Sequence, residues 1–152
     1  MIKKITIYTL CLLPWFLTSI IPLDYKYYDK IIKPSFAPPN SFYAIAWTII
    51  YLLLAYTIYS IFITYKKNEI PKSYYLTLVI NYLFNQGYTI VFFLLKNTFL
   101  GFVFCLGTLL STLFLFEETS LLQNKKKYYL VPYILLSIFA VILSLSIYVL
   151  NI

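Results

Sequence analysis

The chain has 152 residues, of which 62% are hydrophobic, 21% aromatic and only 11% charged. A soluble domain carries about 25% charged residues, so this composition excludes one and reads as an integral membrane protein. All twelve basic residues are lysine, the net charge is +7 and histidine is absent, which excludes a histidine-based metal site or catalytic triad.

The lysines lie in short clusters between apolar runs, a pattern of membrane topology rather than of a basic nucleic-acid-binding domain. No nucleic-acid partner is expected. Cys11 and Cys105 sit singly inside apolar runs and match no zinc or redox spacing, so no metal is expected.

A spanning helix needs about 20 predominantly apolar residues. In chain order the first candidate is 5–22, between Lys3-Lys4 and Pro22. It has the basic start and apolar core of a signal peptide, but no A-x-A-like cleavage site follows, and Pro14 and Trp15 interrupt the core. A retained helix is expected. Residues 23–41 form a polar loop that ends in Lys33-Pro34-Ser35-Phe36-Ala37-Pro38-Pro39. Each proline lacks an N–H and fixes φ, and each disfavours helix in the residue before it. A stiff segment over 33–39 therefore leads into a helix that Asn40 or Ser41 can cap.

The second span covers 42–65, and a charged turn from Lys66 to Lys72 leads to the third, 73–95. Lys96-Asn97 connects to the fourth, 98–118, which ends at Glu117-Glu118. Residues 119–127 connect to the fifth, 128–150. Long apolar runs without alternation are helices, and lipid demands internal satisfaction of every backbone group. The fold class is therefore an all-α membrane protein, a five-transmembrane-helix bundle in one domain over 1–152. The amino terminus with the second and fourth connections carries eight lysines, the other side four. The positive-inside rule then puts the amino terminus inside and the 23–41 loop outside.

No Asp, Glu or Lys falls mid-span, which argues against an ion-coupled carrier or pump and against acid–base chemistry inside the membrane. Asn81, Asn85, Tyr88 and Phe92 fall at i, i+4, i+7 and i+11 of the third span, one helical face. Two amides do not face lipid cheaply, so this face points into the bundle. Trp47, Tyr51 and Ala55 share a face in the second span; Gly101, Cys105, Thr108 and Thr112 in the fourth; Ser137, Ala140 and Ser144 in the fifth. Such residues commonly serve as interhelical glue and interface anchors. Beneath a stiff loop they also suit an aromatic-walled pocket for a flat hydrophobic molecule.

The stretch KPSFAPPNSFYAIAWTIIYLLLAY resembles the signature of the translocator protein (TspO/MBR) family, also called tryptophan-rich sensory protein or peripheral-type benzodiazepine receptor. The residues that carry it are Lys33, Pro34, Phe36, Pro38, Pro39, Trp47 and Tyr51. Asn81, Asn85, Tyr88, Phe92 and Phe93 resemble a second family stretch, and Pro132, Tyr133, Ala140, Leu150 and Asn151 a third. The resemblance covers essentially the whole chain.

The resemblance implies a five-helix bundle, often a homodimer, that binds porphyrins, sterols such as cholesterol, or benzodiazepine-type ligands beneath the first loop. Trp47, Tyr51, Asn81, Asn85, Tyr88, Phe92, Ala140 and Ser144 would then be ligand-binding. Lys33, Pro34, Phe36, Pro38 and Pro39 would form the lid. No cofactor is required, porphyrin is the implied ligand, and membrane lipid surrounds the bundle. Tyr88 and Leu136 stand where the family usually has tryptophan, and Ser144 where it commonly has asparagine. The expected function is a tetrapyrrole receptor or carrier with a transport or stress-regulatory role. The alternatives are a light-dependent porphyrin-degrading enzyme or a structural membrane protein without a ligand.

Overall fold

A computed structural model describes residues 2–24, 26–122 and 124–152. Tyr25, in the first loop, and Gln123, in the last connection, lie outside the described residues, as does Met1. Every regular element among the described residues is helical. In chain order these are α1 (Ile2–Leu12), a 3-10 segment (Leu13–Ile20), α2 (Tyr27–Lys30) and α3 (Asn40–Thr64). Then come α4 (Lys72–Thr89) with a π turn (Ile90–Leu94), α5 (Thr98–Leu121), a 3-10 turn (Lys125–Leu130) and α6 (Val131–Leu150). Four helical stretches, Asn40–Thr64, Lys72–Leu94, Thr98–Leu121 and Lys125–Leu150, are long and apolar enough to cross a membrane. At about 1.5 Å per residue each exceeds the ~30 Å hydrocarbon core.

The first expected span departs from the sequence reading. It is two elements, because Pro14 enters at the start of the second. Proline cannot donate to the residue four back and its ring clashes there, so the chain tightens into 3-10 geometry for eight residues. The start of α3 departs too. Pro39 is the cap residue, with no side-chain cap bond, and Asn40 donates to Asp29 Oδ1 at 2.9 Å instead. α5, the fourth expected span, runs about one turn past Glu117-Glu118, to Leu121.

The α4–α5 seam is the most extensive helix–helix contact, and it is closely packed. Two glycines make it so. A Cβ on Gly87 would lie 2.3 Å from the Phe104 ring, and one on Gly107 would lie 2.4 Å from Phe84. The two phenylalanines meet edge to face, with centroids 5.5 Å apart. Lipid supplies no hydrophobic drive for helix association, so close packing through small residues carries it. Gly107→Val should therefore cost about 1–3 kcal/mol by overpacking. Detergent unfolding of Gly107→Val and of Gly107→Val/Phe84→Ala measures this; the double variant should recover part of the loss.

Candidate functional site

The buried amides of α4 organise the centre of the bundle. Asn81 and Asn85 are both buried, as their helical face requires. Asn85 Oδ1 accepts from Tyr51 Oη of α3 at 2.8 Å and from Gln86 Nε2 at 2.9 Å. Its Nδ2 donates to Tyr133 Oη of α6 at 2.9 Å. Tyr133 Oη in turn donates to Asn81 Oδ1 at 3.1 Å. Asn81 Nδ2 reaches Ser111 Oγ and Thr112 Oγ1 of α5, each at 2.9 Å. Gln86 closes the network to the first segment: it donates to the Trp15 carbonyl at 3.2 Å and accepts from Thr18 Oγ1 at 2.8 Å. One connected polar network thus ties the first segment, α3, α4, α5 and α6 together.

Aromatic rings flank this network. Tyr51 lies between Trp15 and Trp47, with ring centroids 5.8 Å from each. Trp47 meets Tyr133 edge to face at 6.0 Å. Trp47 and Tyr51 therefore sit with Asn81 and Asn85 in one constellation.

Tyr88 and Phe92 belong to a second layer, nearer the loop. They stack nearly parallel, with centroids 5.4 Å apart. Phe92 is fully buried, against Tyr27 at 5.6 Å and Tyr28 at 6.4 Å. Tyr28 and Tyr43 share a hydroxyl hydrogen bond of 3.0 Å. Ala37, Leu143 and Ile147 complete this layer. Gly101 makes room for it: a Cβ there would meet Phe92 at 2.8 Å and Ser144 Oγ at 3.6 Å. Ser144 is thereby placed beside the layer, and Ala140, one turn earlier on α6, is partly buried. These side chains pack together beneath the loop.

The π turn aims this layer. The Leu95 amide donates to the Ile90 carbonyl, five residues back, at 3.1 Å. Such widened turns recur at functional sites. Lys96 follows at φ 53°, in the left-handed region that few non-glycine residues adopt. There its carbonyl accepts from Tyr27 Oη at 3.1 Å, and its Nζ pairs with Asp24 at 2.9 Å.

The loop is fastened at several further points. Lys33 Nζ donates to the Tyr28 carbonyl at 3.0 Å and sits 4.6 Å from the Tyr28 ring centroid. The Pro34 carbonyl accepts from the Ala37 amide at 3.0 Å. Phe36 packs on Phe139 of α6 at 6.3 Å. Pro38 is partly buried and Pro39 starts α3. Asn151 grips Ile32 on both sides: its Oδ1 accepts from the Ile32 amide at 3.0 Å and its Nδ2 donates to the Ile32 carbonyl at 2.9 Å.

Asn151→Ala should therefore free the loop, read as faster protease cleavage within 26–39 with the spans intact. The Asp24 tie adds a pH dependence. The hydrogen bond from Lys96 holds the Asp24 carboxyl below its ordinary range. A depressed native pKa means that the tie acts above the ordinary carboxylate value and fades as pH falls through the native one. Cleavage should rise at acid pH, and Asp24→Asn should flatten that rise.

The sequence reading placed Trp47, Tyr51, Asn81, Asn85, Tyr88 and Phe92 inside, and the structure puts them in two adjoining layers rather than one. It passed over Gln86, Thr18, Tyr28 and Tyr43. Gln86 lies one residue off the asparagine face and reaches the first segment, a direction that helical periodicity alone does not flag.

Comparison with known proteins matches the model of the TspO/MBR family over residues 6–150. The chain is 34% identical over 138 residues to the tryptophan-rich protein TspO of Bacillus cereus, covering 90% of this chain and 89% of that one. It is 28% identical over 132 residues to the uncharacterized membrane protein YtaB of Bacillus subtilis, covering 87% and 84%. It is 27% identical over 131 residues to the tryptophan-rich protein TspO of Archaeoglobus fulgidus, covering 82% and 80%.

Proposed function

This chain belongs to the TspO/MBR family, and from that premise we propose that it is a membrane receptor or carrier for tetrapyrroles or similar flat hydrophobic ligands such as sterols. The observation that carries the reading is the fastened loop over the Tyr88–Phe92 stack, directly above buried amides and Trp47. A flat macrocycle would enter by displacing one ring of that stack and would gain parallel ring contacts in exchange. Lys33 stands at the mouth, where a ligand carboxylate would pair with it. Leu136, in place of the family's usual tryptophan, packs with the cluster of Trp15 and Tyr133, which favours binding over light-driven breakdown.

In this reading residues 5–22 make a fifth crossing, with Lys3 and Lys4 at its edge. Residues 5–12 as α-helix and 13–20 as 3-10 helix reach about 28 Å, and extended Ile21 adds about 3 Å, which matches the ~30 Å core. The amino terminus lies inside, the loop outside, and two copies associate. A ligand that binds only the folded form raises the melting temperature, so protoporphyrin IX should raise that of the purified protein in a dose-dependent way. No shift at saturating dye would overturn the reading.

A further inference from the structure

The opposite end of the bundle carries a concavity. A groove of about 270 Å³ runs between the last two turns of α3 and Lys125-Lys126, lined by Tyr56, Tyr59, Ser60, Thr64 and the two lysines. We propose that this groove binds the phosphate-bearing headgroup of an anionic membrane lipid. The proposal is independent of the ligand reading above.

Charge points to it first. This end gathers eight lysines against only Glu69, Glu117 and Glu118. Lys126 Nζ lies 5.3 Å and 5.4 Å from the Tyr56 and Tyr129 ring centroids. The rings hold the cation without a carboxylate or carbonyl partner, and an ammonium has three N–H donors to share with an anion. Lys125 is exposed, and its side chain has no bond or ion pair among the described residues.

Rigidity points to it second. Asn124 Nδ2 donates to Ser60 Oγ at 2.9 Å, Asn124 Oδ1 accepts from the Lys126 amide at 2.9 Å, and Thr57 Oγ1 donates to the Lys126 carbonyl at 3.3 Å. The two lysines are thus mounted on backbone pinned to α3.

Position selects a lipid over a free phosphate. From Thr64 the groove extends to Tyr56, about 12 Å into the bilayer along α3. Tyr56 and Ile63 are exposed along it, and an acyl chain would lie there while the headgroup meets the lysines. Basic pockets between helices on the inner face hold such headgroups.

Native mass spectrometry of the detergent-purified protein titrated with phosphatidylglycerol or phosphatidylcholine tests this. Phosphatidylglycerol should bind saturably and at least about tenfold more tightly than phosphatidylcholine. Lys125→Gln/Lys126→Gln should weaken it by about tenfold or more. Lys66→Gln/Lys67→Gln, which removes the same charge at the same end outside the groove, should leave it within about twofold. If the first double variant does not fold, Tyr56→Leu replaces it with the same expectation, and Lys126→Arg should retain binding. Equal losses in both lysine pairs, no preference for the anionic lipid, or full competition by glycerol 3-phosphate would each overturn the proposal.

Discussion

Asn85→Leu should destabilise the bundle by about 2–4 kcal/mol. Leucine keeps the branched outline of asparagine with bulkier methyls in place of the amide atoms, so no cavity is left and the loss is polar. Three hydrogen bonds go: from Tyr51 Oη, from Gln86 Nε2 and to Tyr133 Oη. Interhelical hydrogen bonds in membranes average about 0.6 kcal/mol and reach about 1.7. The added cost is the Tyr51 hydroxyl, whose proton is left in an apolar interior without an acceptor. Gln86 keeps the Trp15 carbonyl and Tyr133 keeps Asn81, which bounds the damage. Denaturant unfolding in micelles measures it, with Thr48→Val as control, since among the described residues the Thr48 hydroxyl bonds only within its own helix, to the Ala44 carbonyl. A loss below about 0.5 kcal/mol would show that the network contributes little to holding the helices together.

Phe92→Ala should cost about 3–5 kcal/mol, the usual range for removing a buried phenylalanine ring. Phe92 is fully buried among Tyr27, Tyr28, Tyr88 and Phe93, and none of these collapses easily into the space, because Tyr27 and Tyr28 are bound elsewhere. Phe114→Ala removes an equal ring from a lipid-facing position and should cost little. The proposed function adds a second expectation. The hole left by Phe92 is where a flat ligand would enter, so protoporphyrin IX should recover more melting temperature in Phe92→Ala than it adds to the parent. Equal gains in both would place the ligand elsewhere.

Much of this architecture was legible in the residues. Four of the five expected spans follow from run length, and the inward face of α4 from the four-residue spacing of Asn81 and Asn85. The proline loop followed from the missing N–H groups of Pro34, Pro38 and Pro39. Irregular geometry was less legible. The π turn at Ile90–Leu94 depends on how α4 meets the loop, since Ile90, Val91 and Phe93 read as ordinary spanning residues. Pro14 announced a break, but not that the chain would continue as 3-10 helix. Gln86 and Tyr133 become network members only once α4, α6 and the first segment lie side by side. The two-layer division of the site arises the same way: Tyr28 and Tyr43 enter because the loop folds back over Phe92, a long-range event that no local pattern encodes.

The central claim is that a flat hydrophobic ligand binds beneath the loop, against Tyr88 and Phe92. Tryptophan emission of the purified protein, followed as protoporphyrin IX is added, tests it most directly. The account predicts saturable quenching at one site, a Kd raised about tenfold or more by Tyr88→Leu, and a Kd unchanged by Lys125→Gln/Lys126→Gln. Quenching that never saturates, or a Kd that Tyr88→Leu leaves unmoved, would contradict it.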